Sequence, residues 1–392
     1  MPSPRTREIL QQLIGFDTTS VNSNLQLLDY IRSLLQQEGV DCQLVYDEQG
    51  QKANLYATIG PQDKPGVMLS GHTDTVPVSG QAWTLPPHQL TEQIQADGSS
   101  RWYGRGTTDM KGFIAVVLAA VPEMLAQPLH TPIHLAFSYD EEIGCIGVRR
   151  LIDTLKSLPV KPAMGIIGEP TRMKVVTAHK GKLAARVTVT GKECHSGMAP
   201  LGVNAINYAA RLIVWLEQLA RQKRLSGPFE EGYEIPYTTV HTGVVKGGQA
   251  LNIVPNHCEF VFEFRNVAAE SPRDLLAAFR AYAAEVEAEM RQQHADCAIA
   301  IDITSEYAGL ATAEDEDVVA FVQQLTGEQD TATINFGTEG GLFSQVLGVP
   351  NVVCGPGSMD QGHKPDEYIE TAELERCEAM LQRLIQRLSQ VC

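Results

Sequence analysis

A change of hydrophobic period partway along the chain constrains its fold more than any other feature. Up to about Gly181 the strand-like runs are short and mostly apolar, at residues 42–46, 54–59, 67–70, 133–138 and 163–167. Helical spacing fills the gaps: residues 3–14 behind a Ser-Pro start, residues 24–38 with Gly39 as a stop, and residues 111–125. Strands covered on both faces and alternating with helices predict an α/β layer with a mixed, largely parallel sheet flanked by helices. After Gly181 strict alternation takes over, with Leu183, Ala185, Val187 and Val189 and later Phe260, Phe262 and Phe264. Helical patterns around Ile206–Ala220 and at 272–290 separate these from strand patterns near 238–245 and 297–303, giving the order βαββαβ. That is the ferredoxin-like pattern of a small four-stranded sheet backed by two helices. The first kind of pattern resumes after about Ser305, with a further strand at 351–354. Two domains are expected, residues 1–181 with 305–392 and an insertion at 182–304, as a chain of 392 residues also requires by its length.

Composition removes several classes of function. Hydrophobic residues make up 43% and charged residues 20%, as in a soluble globular protein. A formal net charge of −16 argues against nucleic acid as a partner, which needs clustered Lys and Arg. Residues 1–16 carry Arg5, Arg7 and Glu8 within their apolar pattern, so neither a signal peptide nor a membrane span is expected. Eight scattered cysteines, Cys392 among them, form no Cys-x-x-Cys pair and read as reduced thiols of a cytoplasmic protein.

Acidic and imidazole residues gather where the first kind of strand runs out. His72 and Asp74 close the run at 67–70, and residues two apart on an extended chain share a face. The Asp74 carboxylate is thereby placed to take the spare N–H of a metal-binding His72 ring. Asp109 lies in the glycine-rich turn Gly104-Arg105-Gly106-Thr107-Thr108-Asp109-Met110-Lys111-Gly112, Glu141 and Glu142 end the strand at 133–139, Glu169 follows Ile166-Ile167-Gly168, and His363 follows Gly355-Pro356-Gly357. Loops at the carboxyl ends of strands in an open α/β sheet converge on one crevice. Two imidazoles and three or four carboxylates there suit two divalent ions sharing a bridging carboxylate. Each residue also has an ordinary reading: Asp109 as a helix cap, Glu141-Glu142 as a solvated pair, Glu169 in a turn and His363 on a surface loop. Five such residues at successive strand ends favour the joint reading.

Taken in order, Ser70-Gly71-His72-Thr73-Asp74-Thr75-Val76-Pro77, the Asp109 turn, Asp140-Glu141-Glu142, Gly168-Glu169-Pro170 and Gly362-His363 resemble the signatures of the di-zinc aminoacylase and carboxypeptidase family. The resemblance spans nearly the whole chain. It implies amide hydrolysis with two divalent metal ions, zinc being expected and cobalt or manganese suiting the same donors. It implies one ion on His72, Asp109 and Glu169 and another on His363, Asp109 and Glu142, with Asp109 bridging, Asp74 orienting His72 and Glu141 as general base. Neighbouring side chains on an extended backbone diverge, which would divide Glu141 from Glu142 in this way. Gly144-Cys145-Ile146-Gly147 and Gly362-His363-Lys364-Pro365-Asp366-Glu367-Tyr368 look most like the branch that removes acetate from N2-acetyl-L-ornithine in arginine biosynthesis. A succinyl-diaminopimelate desuccinylase or a dipeptidase is the alternative within the family. Outside enzymes the alternative is a metal-dependent amino-acid-binding protein, against which the presence of Glu141 speaks.

The inserted domain resembles the family's dimerisation or lid domain, which implies a homodimer. Gly191-Lys192-Glu193-Cys194-His195-Ser196-Gly197 is similar to a loop whose histidine reaches the partner subunit's site and supports an oxyanion. Asn252, in Gly247-Gly248-Gln249-Ala250-Leu251-Asn252, and Arg265 resemble positions that grip the carboxylate of an acyl-amino acid. His195 in a surface turn and Arg265 in a structural ion pair are the plainer readings. Glu339 stands where relatives carry Asp or Ser, either to meet a substrate ammonium or to cap the following helix.

Overall fold

The structure, a computed structural model, describes residues 1–390. In chain order it opens with α1 (Pro4–Gly15), α2 (Leu25–Gln37), β1 (Cys42–Tyr46), β2 (Ala53–Ile59) and β3 (Val67–His72). Short strands β4 (Thr91–Ile94) and β5 (Ser100–Tyr103) lead to α3 (Lys111–Ala126), β6 (Ile133–Ser138), α4 (Val148–Lys156), β7 (Met164–Pro170) and β8 (Val175–His179). Then come β9 (Gly181–Thr190), α5 (Ala205–Ser226), β10 (Thr239–Gly247), β11 (His257–Asn266), α6 (Pro272–Gln293) and β12 (Ala298–Tyr307). The chain closes with β13 (Leu310–Ala311), α7 (Asp317–Thr326), β14 (Thr331–Ile334), α8 (Gly340–Leu342), β15 (Asn351–Gly355), β16 (Tyr368–Glu370) and α9 (Thr371–Leu388).

Two units result. The first holds Met1–Ala178, Leu310–Thr333 and the chain from Thr338 onward; the second holds His179–Gly309 and Ile334–Gly337. The short piece Ile334–Gly337 lies outside the expected 182–304 insertion. Its place has a simple cause, since a Cβ on Gly337 would come within 2.1 Å of the Tyr307 ring of β12.

The sheet of the first unit runs β1-β2-β6-β3-β7-β15-β8-β13, with β14 beside β8. Its inner four strands are parallel: β3 pairs with β6 and β7, and β15 with β7. Every residue of β3, β6 and β15 is buried, which is why these segments read as continuous runs and not as alternation. Parallel pairing also brings the carboxyl ends of β6, β3, β7 and β15 to one edge of the sheet. Helix α3 is buried nearly all round, through Phe113, Ile114, Val116, Val117 and Leu118. It lies so close to β7 that a Cβ on Gly168 would sit 2.1 Å from the Phe113 ring. The turn preceding α3 is thus anchored beside the end of β7. Ser3 caps α1 by accepting the Thr6 N–H, and Pro4 starts it.

A separate antiparallel sheet, β16-β5-β4, pairs Tyr368 with Tyr103 and Ile369 with Trp102. In the second unit the antiparallel order is β10-β11-β9-β12. Phe260, Phe262 and Phe264 face Val187, Ala185 and Leu183 across the ladder, and all six are buried with Leu212 and Leu216 of α5 and Phe279 and Val286 of α6. Strand β10 forms one edge and leaves Val244 and Val245 exposed. Cys42, Cys145, Cys194, Cys258, Cys297, Cys354 and Cys377 are free thiols, and Cys392 lies outside the described residues. Among the described residues no helix is long and apolar enough to cross a membrane.

Candidate metal centre

His72 is the last residue of β3 and is buried. Its Nε2 lies 2.9 Å from Asp109 Oδ1 and 3.6 Å from Glu169 Oε1 at the end of β7. The other oxygen of Asp109, Oδ2, lies 3.0 Å from His363 Nε2, and that nitrogen is also 3.0 Å from Glu142 Oε2. Asp109 therefore presents one oxygen to each of two imidazoles, and each imidazole has a glutamate of its own. His72 with Asp109 and Glu142, and His72 with Glu141 and Glu169, each bring one donor atom per residue within 4.8 Å of one another. Glu142 Oε1 is buried without a hydrogen-bond partner among the described residues. A cation would satisfy it, so the residues present fit a pair of divalent ions.

The charge states agree with that fit. Burial pushes Glu141 and Glu169 well above the usual carboxylate range and takes Glu142 up to about 7. Burial would raise Asp109 as well, but hydrogen bonds with His363 and His72 hold it below its ordinary value. Hydrogen bonds to Asp109 and Glu142 lift His363 to about 11. For His72 burial works downward and is outweighed by Glu169, Asp109 and Asp74, leaving the ring well above the usual imidazole range. Neighbouring carboxylates thus raise both imidazoles and add to the burial that raises Glu142 and Glu169.

One expectation from sequence needs correction here. The Glu141-Glu142 pair does not end a strand: β6 stops at Ser138, Asp140 takes φ 56°, and both glutamates lie in the following turn. Their separation therefore comes from the turn and not from an extended backbone. Asp74 meets more than the His72 ring. His72 Nδ1 is 2.9 Å from the Asp74 main-chain carbonyl and 3.5 Å from its carboxylate, so both face the imidazole. The carboxylate also accepts the Ser20 hydroxyl at 2.7 Å and the backbone N–H groups of Glu141 at 3.1 Å and Glu142 at 3.3 Å. One residue thus fixes both an imidazole and the turn that carries the two glutamates.

Glu339 is 2% exposed. Ser70, two residues before His72 on the same strand face, donates to its Oε2 at 3.5 Å, and its Oε1 has no hydrogen-bond partner among the described residues. Its side chain does not cap α8, and burial raises its carboxyl to about 7. The second unit carries the other three sequence candidates. His195 is exposed, its Nδ1 accepting the Gly197 N–H at 3.1 Å, and the neighbouring Ser196 N–H donates to the Asn252 carbonyl at 3.0 Å, so His195 and Asn252 are brought together. Arg265 donates to the Tyr307 hydroxyl at 2.6 Å and to Glu263 at 3.1 Å within its own unit. Sequence reasoning passed over Arg105 and Glu367, a fully buried ion pair at 2.7 Å, although both stood in quoted motifs. Charged residues inside glycine- and proline-rich turns were the available signal.

Comparison with known proteins finds relatives over nearly the whole chain. Residues 68–387 match Peptidase family M20/M25/M40. The acetylornithine deacetylase of Myxococcus xanthus is 36% identical over 390 residues, covering 97% of each chain, and that of Aliivibrio fischeri strain MJ11 is 32% identical over 396 residues, covering 98% of this chain and 99% of the relative. Among solved structures, an M20 family metallo-carboxypeptidase from Sulfolobus solfataricus aligns with a TM-score of 0.77 at 19% identity, covering 99% of this chain and all of that one. From the match along most of its length and relatives a third identical over nearly all of it, this chain belongs to Peptidase family M20/M25/M40 and is a metal-dependent hydrolase acting on an amide.

Proposed function

We propose that the chain removes acetate from N2-acetyl-L-ornithine, with His72, Asp109 and Glu169 holding one divalent ion and His363, Asp109 and Glu142 a second. The observation that carries the chemistry is the division of Asp109 between two imidazoles. The substrate is supported by relatives that are named acetylornithine deacetylase. Ions held by these residues, with zinc expected, would supply the Lewis acidity that polarises an amide carbonyl and eases loss of a proton from water. Glu141 accepts that proton and passes it to the departing nitrogen. Asp74 holds the turn beneath Glu141 during this exchange. The working place is the cytoplasm.

Release of amine from a small panel tests the substrate. Acetylornithine is expected to give a higher kcat/KM than succinyl-diaminopimelate, acetylmethionine or a dipeptide, with zinc, cobalt or manganese added in turn. A higher value for succinyl-diaminopimelate would move the chain to the desuccinylases. Because Glu339 is shielded, Glu339→Gln is expected to lower acetylornithine and acetylmethionine turnover alike; a loss confined to acetylornithine would return it to the ammonium site.

The second unit is proposed to form a homodimer, with the edge of β10 and its exposed Val244 and Val245 as the contact surface. His195 then supports the oxyanion in the partner subunit's site, while Asn252 and Arg265 hold the substrate carboxylate. His195→Ala and Glu141→Gln proteins, each nearly inactive, are expected to regain activity when mixed and refolded, since a heterodimer contains one complete site. A monomer by sedimentation, or no recovery in mixtures shown to exchange subunits, removes His195 from that role.

A further inference from the structure

Glu367 and Arg105 are each 1% exposed and face each other at 2.7 Å. A fully buried ion pair gains little net stability over apolar packing, so its presence calls for another account. The remaining contacts supply one. Glu367 Oε1 accepts the backbone N–H groups of Thr108 at 3.0 Å and Asp109 at 3.1 Å, and the Glu367 carbonyl accepts the Gly104 N–H at 2.9 Å. The next residue pairs with β5, Tyr368 opposite Tyr103. Arg105, besides meeting Glu367, donates to Gln81 Oε1, and Gln81 Nε2 donates to the His363 carbonyl at 2.9 Å. A closed circuit thus joins the loop after β3, the turn holding Asp109 and the segment from His363 to Glu367.

The two sides of the metal centre depend on this circuit unequally. His72 and Glu169 stand at the ends of β3 and β7, adjacent strands locked by the parallel ladder. His363 lies in a loop at φ 60°, and the circuit supplies both its carbonyl contact and the register of its segment against Asp109. We infer that Glu367, with Arg105 and Gln81, is a positioning group that sets the spacing between the Asp109 carboxylate and His363, and so decides whether the chain holds two divalent ions or one. This rests on the two-ion reading above. The negative charge is required because Oε2 must meet a guanidinium while Oε1 accepts two amide hydrogens at once.

Calorimetric titration of metal-stripped protein with Co²⁺, checked by ion content after gel filtration, tests the inference. Wild type is expected to take up two ions in separable steps. Glu367→Gln keeps the shape and one amide acceptor but turns an NH₂ or a neutral oxygen toward Arg105. Its first step is expected to stay within about threefold of wild type and its second to weaken about 10- to 100-fold, the range found for groups that orient metal ligands. Gln81→Ala, which removes the link to His363 along with the Arg105 and Trp83 contacts to Gln81 Oε1 but leaves the Glu367–Arg105 pair in place, should weaken the second step in the same direction and covers the case in which Glu367→Gln does not fold. Equal weakening of both steps, or two unchanged steps in both variants, overturns the positioning role while leaving the two-ion reading in place. A wild type that takes up a single ion overturns the two-ion reading and this inference with it.

Discussion

Glu141→Gln is expected to leave metal content near two ions per chain while lowering kcat by about three to four orders of magnitude, the effect of losing a positioned proton carrier. The amide fills the same volume and keeps an oxygen for the Cys145 thiol, which approaches Glu141 Oε1 at 3.4 Å. Asp109, Glu142 and Glu169 each lie within 3.6 Å of an imidazole nitrogen, and Glu141 forms no such pair among the described residues. Its loss should therefore fall on turnover and spare binding. Ion content by plasma mass spectrometry, with steady-state rates on the same preparation, checks this. A parallel loss of metal would exchange the roles of Glu141 and Glu142.

Asp109→Asn should act on binding first. The carboxylate offers two charged oxygens in opposite directions, whereas the amide offers one neutral oxygen, so both ions are expected to leave. Ion content should drop to well under one per chain and activity by roughly four orders of magnitude or more, since polarisation of the carbonyl and activation of water fail together. In metal-stripped protein the same change should bring the His363 ring down from about 11, because the Asp109 hydrogen bond is the largest cause of its elevation. Proton NMR of the imidazole reads that shift directly. Retention of two ions would remove Asp109 as the bridge.

The residues legible in the sequence share one property: local pattern encoded them. His72 and Glu169 end apolar runs, and runs without alternation mark strands inside a parallel sheet, so their placement at one edge followed. The alternation of Phe260, Phe262 and Phe264 likewise announced a sheet with one covered face. Nothing local announces that Asp140 adopts a positive φ, a conformation that few L-residues take, and this is what moves Glu141 and Glu142 from a strand into a turn. The Arg105–Glu367 pair joins residues 262 positions apart, a separation at which no periodicity carries information. The β16-β5-β4 sheet escaped notice because its strands are three or four residues long and lack a continuous apolar face. Glu339 shows a different limit, since a sequence displays a carboxylate but not the depth at which it is held.

Strand β15 lies between β7 and β8, although about 180 residues of chain are made between β7 and β15. During synthesis, four of the five proposed ligands, His72, Asp109, Glu142 and Glu169, leave the ribosome on a sheet whose β7 edge has no neighbour. At about 5–20 residues per second that edge waits roughly ten to forty seconds for β15. An unpaired apolar strand is a template for pairing with other nascent chains, so this interval is the period of greatest aggregation risk. The second unit is nearly continuous in sequence, its sheet coming entirely from residues 181–307, and it emerges within the same interval. Arrival of β15 then closes the sheet and, eight residues past its end, delivers His363.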